Sequence, residues 1–347
     1  MQIIVTTKSF EQADGAFDYL IPSLEKSMEG LIVQLAVLSE PHIDISKLCA
    51  IHITEDYERE LFEFQKKHGH KQYRTKNKIA RGAAQVIKIS NALESGENGF
   101  HIFIDKCIPF TILALQVFEN ISPNDKRISD ELIEQLKSEK NDYIRIVRHE
   151  MAHVEDETNQ ERFRWLQSAL IGFNVKNQLR NDALRLWEEF YACRRSVFQY
   201  DDFSIKKEVD SLIPNLEKAE NEICNLRQQF LKKEIDLNLF VDRFHDYIRS
   251  AFIYGCYFMG HLNITFSFFD EKGFTFDILP SKFMFHFKEL WIALRKMDES
   301  YPRWIGPEIF DEVVDILQRT IEDYGVYMSD DSGSIYYKIC YNEEDYE

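Results

Sequence analysis

The chain has 347 residues, 44% hydrophobic and 29% charged, with a formal net charge of −17 and a pI near 5.1. That length suffices for one large domain or two modest ones, and the balance excludes a largely disordered chain. So acidic a chain repels phosphate backbones, so nucleic acid is not an expected partner.

One stretch inverts the charge. From Lys66 to Lys88 there are eight Lys or Arg residues and no acid, read first as a solvated loop or strand edge and second as a dock for an acidic substrate or anionic ligand. The six cysteines contain no CxxC pair, which is expected of unpaired thiols in a reducing compartment. The opening MQIIVTTKSFEQ lacks a basic segment followed by an apolar one, so no signal peptide is expected. The longest strongly apolar run, Leu31 to Leu38, is interrupted by Gln34 and is far too short to cross a bilayer. The expectation is a cytoplasmic protein with no membrane partner.

In chain order, 2–6 reads as a short strand and 10–39 as helix interrupted near Pro22. CAIHIT (49–54) reads as a strand and EDYERELFEFQKK as the helix after it, with Thr54 as N-cap and Glu55 and Asp56 in the first turn, where the helix dipole favours negative charge. AQVIKI (84–89) and GFHIFIDKC (99–107) have strand composition, separated by a turn at 94–99. The pattern from 109 to 257 is mostly helical, with helices expected at 141–157, at 181–199 and as a long pair over 206–259. A hairpin is expected at 264–278, helices at 281–298 and 307–324, and a terminal hairpin before an acidic tail. Strands and helices first, then mostly helices, predict an α+β protein. Its parts are read as a strand/helix extension over 1–48, a core over 49–203 and a mainly helical region with hairpins over 204–347.

The chemistry concentrates in His149-Glu150-Met151-Ala152-His153. Histidines at i and i+4 share one helix face, so their imidazoles can converge on one cation at about 2.0–2.1 Å. Glu150 then reaches the activated water and not the metal, as a general base. Ile146, Val147, Met151 and Val154 give the segment a helical apolar context free of Pro and Gly.

A catalytic zinc takes three protein ligands and one open position. The metzincin signature places Gly and His at positions held here by Asp156 and Asn159, which excludes that class. A Glu from a second helix is the remaining common solution. Glu155 and Glu157 are poor candidates, because a third ligand must approach from another direction. The segment WEEFYA begins 34 residues after His153, enough for a turn and a returning helix, and its Ala192 permits close approach. Glu188 and Glu189 both lie within about 60° of Ala192 around such a helix, so spacing leaves both open. The plainer reading makes them surface acids paired with Arg185, Arg194 or Arg195.

HEMAHVED followed by WEEFYACRRS resembles the gluzincin metallopeptidases, and more narrowly a group of small prokaryotic zincin-like proteins with a Glu-x-x-Ala ligand helix. The resemblance covers about residues 50–200. It implies a zincin-like catalytic domain holding one zinc ion, with His149, His153 and Glu189 as ligands and Glu150 as base. Many gluzincins place an Asp four residues after the ligand Glu; here that position is Cys193, and Asp156 is the candidate to orient a histidine. The resemblance also makes GFHIFI, with Phe100, His101, Ile102 and Phe103, an edge strand that binds substrate backbone. Tyr254, Tyr257 and His261 are candidates to stabilise an oxyanion. The other histidines are read as structural or exposed.

The function expected is zinc-dependent endopeptidase action on a protein or peptide. One variant is a bacterial effector or defence protease with a regulatory protein partner. The alternative from a different class is a catalytically silent zincin-like binding module acting through the helical second half.

Overall fold

The computed structural model of the protein describes residues 4–7, 21–69, 84–89, 98–121, 129–197, 202–262, 282–331 and 333–340. The hairpin expected at 264–278, the acidic tail, most of the 94–99 turn, residues 10–20 of the first helix and residues 70–83 of the basic run lie outside these.

The fold is α+β, with ten α-helices, one four-stranded mixed sheet and one two-stranded sheet among the described residues. The chain divides into two compact units, residues 1–158 with 195–205, and residues 159–194 with 206–347.

The first unit holds the mixed sheet. Its strands are β1 (Ile4–Thr7), β2 (Leu48–Thr54), β3 (Ala84–Ile89) and β4 (Gly99–Asp105), in the order β1-β2-β4-β3. β1 runs parallel to β2 and β2 parallel to β4, while β3 is antiparallel to β4. Phe100 through Ile104 are all buried, the continuous apolar run of a strand covered on both faces. This overturns the edge-strand expectation. Phe100, His101, Ile102 and Phe103 lie on an inner strand whose backbone pairs with β2 on one side and β3 on the other, so it has no free row of donors and acceptors for a substrate. Among the described residues the sheet's edges are β1 and β3.

Helix α1 (Ile21–Ser39) carries Pro22 in its first turn, where no intrahelical donor is lost. Helix α2 (Tyr57–Lys67) is capped by Asp56, whose side chain accepts from Arg59 N, with Glu58 and Glu60 in the first turn and Lys66 and Lys67 in the last. These charges match the helix dipole. Thr54 is therefore not the cap: its hydroxyl is buried and donates to Ile104 O at 3.0 Å, tying β2 to β4. Tyr57, Leu61 and Phe64 of α2 pack with Ile87, Ile89 and Phe103 of the sheet. Helix α3 (Cys107–Ile121) follows β4, and α4 (Asp130–Gln160) is one unbroken helix.

The second unit is built on α5 (Leu166–Leu170), α6 (Val175–Ser196), α7 (Asp202–Leu231), α8 (Leu237–Leu262), α9 (Phe283–Ser300), a 3-10 turn at Pro307–Phe310 and α10 (Asp311–Asp323). The hairpin β5 (Val326–Asp331) with β6 (Ser334–Ile339) follows. Trp187 of α6 sits among Phe190, Tyr191, Tyr301 and Trp304, with centroid separations of 4.8–6.2 Å, a dense aromatic core. No helix among the described residues is long and apolar enough to cross a membrane.

Candidate metal centre

The histidines stand on α4 because that helix is amphipathic. Val147, Met151, Val154 and Thr158 recur at three- and four-residue spacing and are buried, which fixes the rotation of the helix. His149 and His153 then lie together on a half-buried flank. Their Nε2 atoms are 3.1 Å apart and their rings meet edge to face at 86°. Two nitrogens held tetrahedrally at about 2.05 Å from one zinc lie about 3.3 Å apart, so the observed pair needs almost no adjustment to share a cation.

His149, His153 and Glu189 each offer one ligand atom, and the three atoms lie within 4.8 Å of one another. Two imidazoles and one carboxylate form a donor set suited to zinc. Glu188, which spacing left open beside Glu189, accepts instead from Gln160 Nε2 at 3.2 Å. Arg194 pairs with Asp298 at 2.6 Å, and Arg195 pairs with Glu155.

Glu150 is buried, at 9% exposure, next in sequence to the first histidine. Burial pushes the Tyr57 phenol well above its ordinary range, with further contributions from the charges of Glu150 and Asp105. Tyr57 thus lies in the electrostatic neighbourhood of Glu150, and no sequence spacing signalled it. Asp156 is fully buried, which excludes a surface acid. Glu155 accepts from Arg195 Nε at 2.8 Å, from Arg195 Nη2 at 3.0 Å and from Asp44 N at 3.1 Å, so a two-pronged clamp occupies this carboxylate. Arg148 donates to Ser196 O and Ser39 Oγ at 3.1 and 3.0 Å. These bonds hold α4 on the residues flanking the histidines.

On the side of Glu189, α8 closes on α6 at Gly260. A Cβ there would lie 2.6 Å from Cys193 Cβ and 2.7 Å from Phe190 O, so only glycine fits. Cys193 and Cys256 are buried. Burial raises the Cys256 thiol well above its usual range, helped by Cys193 and Glu189 nearby. Tyr254, Tyr257 and His261 are half-buried on the last turns of α8. Tyr254 and Tyr257 meet edge to face at 6.2 Å, and Gly260 brings their segment against the residues that follow Glu189. None of the six cysteines forms a disulfide. His52 and His101, given no partner by spacing, lie 3.1 Å apart through the pairing of β2 with β4.

Comparison with protein-family models, with curated proteins and with solved structures finds no match for this chain.

Proposed function

We propose that the protein is a zinc-dependent peptidase of gluzincin type with a zincin-like core, in which His149, His153 and Glu189 hold one zinc ion and Glu150 is the general base. The observation that carries this reading is the convergence of those three ligand atoms, with a buried carboxylate adjoining the first histidine. A bound zinc supplies Lewis acidity towards a substrate carbonyl and towards water. Glu150 takes the proton of the attacking water and delivers it to the leaving amine. Its burial keeps bulk solvent from competing for that proton, and the neutral Tyr57 phenol beside it adds no opposing charge. The clamp of Arg195 on Glu155 and the bonds of Arg148 hold the backbone on which the base and the histidines stand.

The test is metal analysis with two substitutions. Purified protein is expected to carry one zinc per chain, and His149→Ala to lose both the metal and the thermal stabilisation it gives. Glu150→Gln is expected to keep the zinc while peptide cleavage falls by about 10²–10⁴-fold. Absence of stoichiometric zinc, with stability indifferent to His149→Ala, removes the metal reading. Full zinc together with full biological effect in Glu150→Gln removes catalysis and leaves the silent binding module.

A further inference from the structure

The hairpin of β5 and β6, within the second unit, has an outer edge on each strand, and the edge of β6 carries a pattern of its own. Cys340 N donates to Gly325 O at 2.8 Å, which extends the register in which Val326 faces Ile339 and Tyr327 faces Lys338. Along an antiparallel pair, bonded and non-bonded positions alternate. The bonded pairs are therefore Tyr327 with Lys338, Ser329 with Tyr336 and Asp331 with Ser334. The N–H and C=O groups of Ile335, Tyr337 and Ile339 point the other way, out of the hairpin, and among the described residues none pairs with them.

This edge is held in place from behind. The Tyr337 hydroxyl donates to Gln178 Oε1 at 3.3 Å and lies 3.3 Å from His245 Nε2, and Gln178 Nε2 lies 3.2 Å from that nitrogen. Asp330 Oδ1 accepts from Val175 N, the first residue of α6, at 2.7 Å. Ile335 lines a cleft with Gln178 and Asp182 of α6 and His245 and Arg249 of α8. Val326 and Met328 are buried. A strand fixed in this way is a preorganised template, and adding another strand to it costs little further ordering.

The sequence of β6 is complementary to itself. It reads Ser-Ile-Tyr-Tyr-Lys-Ile, with no proline and no acid in a chain of net charge −17, whereas β5 carries Asp330 and Asp331. Such an edge lacks most of the devices that keep strands apart, its one charge being Lys338. A twofold axis at Tyr337 uses every outward position: Tyr337 faces Tyr337 of the second copy, and Ile335 faces Ile339, each pair exchanging two backbone bonds. Lys338 then stands opposite Tyr336 of the second copy, where an ammonium group and a tyrosine ring attract. The two lysines fall on a diagonal, about 7–8 Å apart at the backbone. An axis at Tyr336 would leave Ile339 beyond the end of the ladder, and an axis at Lys338 would set the lysines face to face. Tyr336 is 60% exposed and Lys338 is exposed, and neither side chain has a partner among the described residues.

We propose that β6 is a self-association edge, to which a second copy of this chain adds in antiparallel register about Tyr337, joining two hairpins into one four-stranded sheet. The contact is isologous, each strand giving and receiving the same bonds. Its small area makes a weak dimer, with a dissociation constant in the micromolar range or above.

The test follows the molar mass of the full chain by analytical ultracentrifugation across concentration, and a dimer fraction rising through the micromolar range is expected. Ile339→Pro removes a donor that points away from β5, so the ladder within the hairpin keeps its bonds, and dimerisation is expected to weaken about tenfold or more. Tyr336→Lys sets like charges opposite each other and is expected to weaken the dimer, although it reduces the net charge. Tyr336→Glu sets a carboxylate opposite Lys338 and is expected to strengthen it, although it adds to the net charge. Those opposite signs belong to this register alone. A monomer at every concentration up to about 1 mM, or a dimer indifferent to Ile339→Pro, overturns the proposal. Should Ile339→Pro fail to fold by circular dichroism, equal dimerisation of the two Tyr336 variants overturns it, because position 336 is too exposed to endanger folding. Neither outcome bears on the peptidase reading, whose zinc and base are tested separately.

Discussion

Glu155 lies two residues beyond His153, and its environment explains why this acid is not among the proposed zinc ligands. Both of its oxygens are taken, by a guanidinium and by a backbone N–H of Asp44. Its side chain is only 10% exposed against 38% for Arg195, so the carboxylate depends on that partner more than the arginine does. Arg195→Ala is therefore expected to cost about 1–3 kcal/mol, the penalty of leaving a desolvated acceptor unmet. Urea denaturation monitored by circular dichroism checks this, and a change below about 0.5 kcal/mol would show that the clamp is merely a surface pair. Glu188 and Glu189 show the same separation of roles. They are neighbours with equal claims by spacing, yet Glu188 accepts from Gln160 while a carboxylate oxygen of Glu189 lies within 4.8 Å of the histidine nitrogens.

At the scale of elements, the placement of the helix segment around Glu189 depends on how closely α8 approaches α6. The contact at Gly260 falls on Phe190, Cys193 and Arg194, directly after Glu189, the proposed third ligand. Gly260→Ala inserts a methyl group where 2.6 Å is available, and the two helices must separate. The expected cost is about 1–3 kcal/mol of stability, the usual range for overpacking. Because α6 shifts at the residue after Glu189, zinc affinity is expected to fall as well, and isothermal titration with zinc against thermal melting reads both. Loss of stability with unchanged zinc affinity would detach the packing of α8 from the proposed metal site. Strand β4 carries the complementary lesson: its apolar run is what a strand with neighbours on both sides requires, and that is why it offers no edge.

At the scale of the whole molecule, buried phenols set an alkaline limit. Tyr57 and Tyr324 are held well above the ordinary tyrosine value near 10, by burial first and then by the charges of Glu150 and Glu220 respectively. The folded chain keeps both phenols neutral, whereas the unfolded chain ionises them near pH 10. Their contribution to stability is thus present in full below pH 10 and declines as pH rises above it. The urea midpoint is expected to fall between pH 9 and pH 11, and Tyr57→Phe to flatten part of that fall. A slope identical in the variant would mean that Tyr57 titrates freely in the folded protein.

What the sequence determined by itself was local. The 3.6-residue spacing of apolar side chains placed α4 and α6 and put His149, Glu150 and His153 on one helix, because helical periodicity is written within a few residues. Strand composition found β2, β3 and β4 for the same reason. Only the tertiary structure decided that β4 is an inner strand, that Thr54 ties strands together instead of capping a helix, and that Tyr57 stands near Glu150. It also decided that Glu189 lies near the two histidines while Glu188 accepts from Gln160, that His52 meets His101, and that a cleft gathers residues of α6, α8 and β6. Strand order, a carboxylate's partner and a cleft lining arise between residues far apart in the chain, where no period or spacing carries a signal. Two histidines four residues apart can be read directly; a partner far along the chain cannot.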